Sequence, residues 1–438
     1  MKLFTIIMLK FFRNTTLLAL LVVPFVVSAQ TTTSSPYSQY GLGNIKGSLL
    51  PQNRAMGGIS AGVSRIGLYN NINMANPASY ASISMTTIDI GAYGGLTQLS
   101  NGSLSQNSFN ASLNHVAFAM PVTKKSAISF GLLPYSDRGY QYRIADKIDS
   151  NVVNYLYSGD GGISKAYLGY GIGIGKHLSV GFNASVLFGK IKDDRSTEFP
   201  DDIATFMNSQ IENSSSISGL TFDYGAQYRA KISKKTDLTL GYAGSAGNKI
   251  KASSTTVVTR YFLTSSSDDA PSAIDSTYYK EGARQKLTLP MSHTVGFTLS
   301  HSNKWLLGAD YNITKWSDYK VGNVAQGLND SYSIAVGGQY TPDVTSVTSY
   351  FKLIDYRLGF KYDKTYININ NTDITQKAIT FGLGLPLPSN RTSFYKINLG
   401  TEFGQRGSYT NSLVRERYIN FYLGFTLNDQ WFQKYKFD

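Results

Sequence analysis

Few residues of this chain have the types and spacing that chemistry needs. Gly171-Ile172-Gly173-Ile174-Gly175 has the glycine rhythm of a phosphate-cradling loop. That loop works only between a strand and a helix N-terminus. Here Leu168, Tyr170, Ile172 and Ile174 alternate with small residues instead, as in a strand with a small inner face. The four histidines, at 115, 177, 293 and 301, fall on separate segments. None has an acidic or histidine neighbour at metal-ligand spacing, and His293 shares an apolar face with Met291 and Val295. A serine hydrolase would need a nucleophile beside an oriented base, and no motif supplies one. The chain has no cysteine, which excludes thiolate zinc sites, disulfides and a lipidated N-terminal cysteine. No catalytic residue, metal or cofactor is expected, and the protein is read as a non-enzyme.

What remains is a set of charges: Asp223, Arg229, Asp310, Arg357, Lys361, Lys396 and Glu402. They lie on the polar faces of alternating segments, and those segments set the fold class. Ile419, Phe421, Leu423, Phe425 and Leu427 point one way, against Tyr418, Asn420, Tyr422, Gly424 and Thr426. The same split runs through 305–314 and 220–229. Strand side chains alternate faces, so each segment has an apolar side and a polar one. Soluble strands average about 5–6 residues; these reach ten and more, as tilted membrane-crossing strands must. Fourteen such segments lie between 86–98 and 411–427, with 236–258 and 285–301 among them. An all-β fold follows: an antiparallel transmembrane β-barrel, its apolar faces turned to lipid and its charges to the lumen. Both signs occur, so mutual pairing is expected. A basic excess that selects carboxylate headgroups is the sharper hypothesis for Arg357 and Lys361.

Connections support the orientation. Lys176-His177, Ser233-Lys234-Lys235 and Ser302-Asn303 are tight, while 141–160, 196–215 and 259–284 are long. Short periplasmic turns and long external loops are the outer-membrane rule. Ile203, Phe206, Met207 and Ile211 have helical spacing within one long loop, suited to docking a partner or covering a pocket mouth.

Lys2, Lys10 and Arg13 precede an apolar run, Leu17 to Val27, that ends in Val27-Ser28-Ala29. This is the pattern of a cleaved signal peptide over 1–29, too short to be a spanning helix. Forty-one basic against 28 acidic residues give a formal charge of +13; without the leader 38 basic residues remain. The lysines and arginines are scattered through turns rather than clustered, so nucleic acid is not an expected partner. Outer-membrane lipids and lipopolysaccharide are. The expected address is the outer membrane of a Gram-negative bacterium.

Residues 30–85 do not alternate, and turn signals stand at Pro36, Pro51 and Pro77. About fourteen strands enclose more space than wall side chains fill, so this segment is expected as a plug, with the barrel over 86–438. Within it, Asn53-Arg54-Ala55-Met56-Gly57-Gly58-Ile59-Ser60-Ala61-Gly62-Val63, followed by Asn76-Pro77-Ala78, resembles the N-terminal signature of the FadL/TodX family. Leu289-Pro290-Met291-Ser292 and Gly308-Ala309-Asp310-Tyr311 are similar to further stretches of it.

The resemblance implies a hatch built from Ala55, Met56, Gly57, Gly58, Gly62, Asn76, Pro77 and Ala78 inside a fourteen-stranded barrel. It also implies uptake of hydrophobic or amphipathic small molecules of fatty-acid or aromatic-hydrocarbon type. Pro134, in Gly131-Leu132-Leu133-Pro134-Tyr135, removes a ladder donor inside the third segment. In that family a kinked third strand opens sideways to the bilayer, so these residues are the lateral-gate candidates. Pro290 poses the same question on the eighth segment. The alternative function is a non-transporting accessory barrel, similar to PorV-like subunits of secretion or outer-membrane assembly, that binds a protein partner at its external loops.

Overall fold

In the computed structural model, the described residues are 35–65, 69–102, 104–148, 151–199, 207–262, 273–388, 392–409, 411 and 413–431. The expected signal peptide, Ile203 and Phe206 lie outside them.

Alternating segments bury one face and expose the other, and every one of them is a strand. Fourteen strands, β1 to β14, form one antiparallel barrel. They are β1 (Thr86–Asn101), β2 (Leu104–Thr123), β3 (Ser126–Ile148), β4 (Asn151–Ile174), β5 (Leu178–Glu198) and β6 (Asn208–Lys231). β7 runs in two pieces, Thr236–Ser245 and Lys249–Tyr261, and β8 in two, Ala273–Thr288 and Ser292–His301. Then come β9 (Trp305–Thr314), β10 (Ser331–Tyr340), β11 (Asp355–Ile369), β12 (Thr372–Pro386), β13 (Ser393–Arg406) and β14 (Arg415–Asp429). β14 pairs with β1 from Asp429↔Thr86 to Arg415↔Ser100, which closes the wall. Phe421, Leu423, Phe381, Leu358 and Leu307 stand outward and exposed, the apolar band of an outer-membrane barrel. No helix among the described residues is long and apolar enough to cross a membrane.

Two expectations are corrected. The stretch 141–160 carries strand up to Ile148 and again from Asn151, 196–215 up to Glu198 and again from Asn208, and 259–284 up to Tyr261 and again from Ala273. Together β3 to β8 form a sheet that overruns the rest of the barrel on the external side. Along 151–157 the β-formers Val152, Val153, Tyr155 and Tyr157 stand on both faces, Val152 exposed and Val153 fully buried, and so do not alternate with polar residues. Ile211 accordingly sits in β6, paired with Arg195 and Val258, not on a helix. The second correction concerns 236–258 and 285–301. Each breaks, at 246–248 and 289–291, and Pro290 occupies the second break. A proline has no N–H for the ladder, and here it ends a strand rather than kinking one.

The N-terminal segment, from Ser35 to Met85, lies within the barrel. It has short 3-10 turns at Pro36–Gln39 and Pro77–Ser82, one helical turn at Pro51–Arg54, and a two-residue strand, Asn44–Ile45. Met56, Ile59, Val63, Ile72 and Tyr80 are fully buried against the inner wall.

Candidate functional site

The inward faces carry the site, and the signature residues are what touches them. Gly57 has φ +71°, and a Cβ there would stand 2.7 Å from the Phe360 carbonyl oxygen. Only glycine takes that conformation without strain. The wall returns the favour: a Cβ on Gly241 of β7 would meet the Ala61 carbonyl oxygen at 1.9 Å. Backbone therefore lies on backbone. Gly171, in the sequence that mimics a phosphate loop, is a wall glycine of the same kind, facing Pro77 and Tyr80.

Hydrogen bonds stitch this contact. The Ser60 and Ala61 amides donate to Asp310 Oδ2 at 2.6 and 2.8 Å, and the Ser60 hydroxyl at 3.2 Å. Thr380 accepts from the Gly57 amide (2.8 Å) and donates to the Ala55 carbonyl (3.0 Å). Thr298 and Gln227 donate to the Gly62 and Ala61 carbonyls, each at 2.8 Å. Asn76 caps its own 3-10 turn through Ala78 N and reaches the Ala61 carbonyl at 2.6 Å. Met56, Gly58, Pro77 and Ala78 contribute packing or turn geometry.

The other lumen charges are also engaged. Asp223 pairs with Lys165 at 2.6 Å and accepts from Ser245. Asp355 holds both Arg357 (2.9 Å) and Lys396 (2.6 Å). Lys361 pairs with Asp363 at 3.0 Å, Glu402 accepts from Tyr418 and Tyr422, and Arg229 donates to Ser64 at 2.6 Å. Sequence reading missed Lys165, Asp355 and the buried pair His115–Asp89, joined at 2.6 Å. Strand parity points to the first two, which share faces with Tyr167 and Arg357. A bulge at Asn114 hides the third, because it flips the parity of β2. His177, His293 and His301 bond separately to the Arg229 carbonyl, Tyr242 and Thr236. Among the described residues, no group of three or more His, Cys, Asp or Glu converges as a metal site.

Between the N-terminal segment and the wall lies a cavity of about 560 Å³. Its lining is rich in charge: Lys46, Arg54, Lys165 and Lys361 face Asp137, Asp223, Asp310 and Glu402. The cavity reaches Pro134 and Tyr135 at an interrupted seam. β2 pairs with β3 only from Val116↔Leu132 down to Thr123↔Ser126. Gly131 is the next-to-last paired residue of β3 at that end, and a register shift follows Pro134 in its pairing with β4. Past the shift, the edge of β3 is covered by the chain's own N-terminal segment. Ile45 and Asn44 pair with Ser136 and Asp137, Lys46 N donates to the Tyr135 carbonyl (3.0 Å), and Ser35 N to the Gly139 carbonyl (2.9 Å).

Comparison with solved structures places this architecture. The toluene transporter TodX of Pseudomonas putida aligns over 89% of this chain and 100% of its own, at 13% identity and a TM-score of 0.58. The toluene transporter TbuX of Ralstonia pickettii covers 88% and 100%, at 14% and 0.56. A Pseudomonas aeruginosa FadL homologue covers 89% and 100%, at 13% and 0.54. The first two are toluene transporters by name, and at such identities all three establish a shared fold, a closed fourteen-stranded antiparallel barrel. Among curated proteins no sequence matches the chain. A sequence model of the BamG family matches residues 8–438, and the chain belongs to that family.

Proposed function

We propose that this protein is an accessory barrel of the outer membrane, held shut by residues 35–85 as a plug, that engages a protein partner of secretion or outer-membrane assembly. The observation that carries the reading is the lining of its cavity. A pocket for hydrophobic cargo is mostly apolar with a few placed polar groups, whereas this one presents ion-paired side chains of both signs. Moving a hydrocarbon chain past them would cost part of their solvation, although Ile45, Leu49, Met74 and Trp316 also line the space. The plug adds to the barrier, since its backbone is bonded to Asp310, Thr380 and Thr298.

A second reading, uptake of a small amphipathic molecule with lateral exit beside Gly131, Pro134 and Tyr135, is favoured by the cavity meeting the interrupted seam. Purification of the full chain from its native membrane in mild detergent separates the two. A stoichiometric protein partner supports the accessory role. A co-purifying fatty acid or aromatic compound that fills the cavity, with no partner protein, supports uptake.

A further inference from the structure

The interrupted seam has two sides, and they are treated differently. The β3 side is occupied by residues 35–46 of the chain itself. On the other side, Leu104–His115 of β2 pair with β1 alone among the described residues. That leaves one row of ladder N–H and C=O groups without a strand. At about 3.3 Å per residue, the free stretch is long enough to cross the outer half of a membrane. From Phe109 to Leu113 its outward side chains are apolar, Phe109 being 57% exposed and Leu113 53%, and beyond them Ser105 and Asn107 are polar. Its inward ones, Ser108, Asn110, Ser112 and Asn114, line the cavity.

Natural sheets guard such edges with lysine, proline or inward charge. This edge has none: from Ile90 to Thr123 the sequence contains no Asp, Glu, Lys or Arg, and its one proline, Pro121, lies in the paired region. Open backbone groups facing hydrocarbon demand partners, and a strand is the one element that satisfies a whole row.

We propose that the β2 edge between Ser105 and Asn114 is a docking site for an extended strand of a second protein, one alternating apolar residues toward lipid with polar residues toward the cavity. Main-chain hydrogen bonds would supply affinity, and the alternation would set register. The proposal rests on the accessory reading and names its contact surface.

The test uses the full chain in nanodiscs and a synthetic ten-residue peptide alternating leucine or valine with serine or asparagine. Because the protein has no cysteine, single cysteines at Asn107 or Ala111 report contact through a photo-crosslinker, with one at Phe381 as the remote control. The expected result is saturable binding and crosslinking at Asn107 and Ala111 but not at Phe381. Binding should fall at least tenfold when alternate peptide amides are N-methylated, and again when Ala111→Pro removes a donor from the edge. Heat-modifiable gel migration verifies that each variant is a folded barrel, and Ala111→Lys provides a second disruption should Ala111→Pro not fold. Equal binding of the N-methylated or a scrambled peptide would overturn the proposal, as would a nitroxide-labelled phospholipid occupying the edge undisplaced by the peptide. The accessory reading fails separately: a barrel that binds the strand yet passes fatty acid keeps this site and loses that reading.

Discussion

Asp310→Ala should free the N-terminal segment from the wall, and the size of the effect follows from the geometry. One buried carboxylate oxygen accepts two backbone amides, at 2.6 and 2.8 Å, and the Ser60 hydroxyl. A hydrogen bond to a charged group is worth about 1.5–3 kcal/mol net, and alanine leaves two buried amides with nothing to bond, so the local loss is about 3–6 kcal/mol. At about 1.4 kcal/mol per decade that is roughly a 10²- to 10⁴-fold increase in local opening. Hydrogen exchange on the detergent-solubilised protein reads it directly. The amides of Gly57 to Val63 should lose two to four decades of protection, roughly, while those of Arg143 to Ile148 at the far end of the β3–β4 pairing keep theirs. Asp310→Asn keeps an acceptor without the charge and should fall between, at about ten- to a hundredfold. Protection of Ser60 and Ala61 within threefold of the parent would refute the reasoning, because the carboxylate would then not be what holds the segment to the wall.

Other consequences follow from the same contacts. Gly57→Ala forces a side chain into a positive φ and against the Phe360 carbonyl, and should loosen the same amides by at least about 1–2 kcal/mol, read by the same exchange experiment. Lys165→Met leaves Asp223 buried without its cation and should cost about 3–5 kcal/mol, whereas Lys165→Met combined with Asp223→Leu should be milder; urea unfolding followed by gel migration separates them. Leu358→Arg, on the outward face where β11 pairs with both neighbours, should cost about 2–4 kcal/mol near the bilayer midplane, by the same assay. Neutralising Arg357 and Lys361 together should leave the anion preference of any residual conductance unchanged, since each is already paired with an aspartate; a reversal-potential shift in planar bilayers would contradict this.

Much of this architecture is legible in the sequence because a barrel wall has two unlike environments. An apolar outer face and an inner face packed on the N-terminal segment force alternation, and parity alone places Phe421 outward and Asp310, Arg357 and Glu402 inward. Legibility ends where that contrast ends. In the overrunning part of β3 to β8 apolar residues stand on both faces, so the pattern that announces a strand fades and Val152–Tyr157 read as loop. The bulge at Asn114 shifts the frame and conceals His115. The pairing of Asn44–Ile45 with β3 depends on a few backbone groups that no side-chain pattern encodes. Signature glycines such as Gly57 are visible as glycines, but the wall glycines that receive them, Gly241 and Gly359, are separated from them by hundreds of residues and declare themselves only in three dimensions.

The central claim is that this plugged barrel with a charged cavity does not conduct hydrophobic cargo. Proteoliposomes holding the purified chain, loaded with a fatty-acid sensor and challenged with oleate, test it most directly. The account predicts oleate entry at the rate of protein-free liposomes, for the parent and for Asp310→Ala alike. Saturable, protein-dependent entry into the parent's vesicles, abolished by substitutions at Gly131, Pro134 or Tyr135, would contradict it.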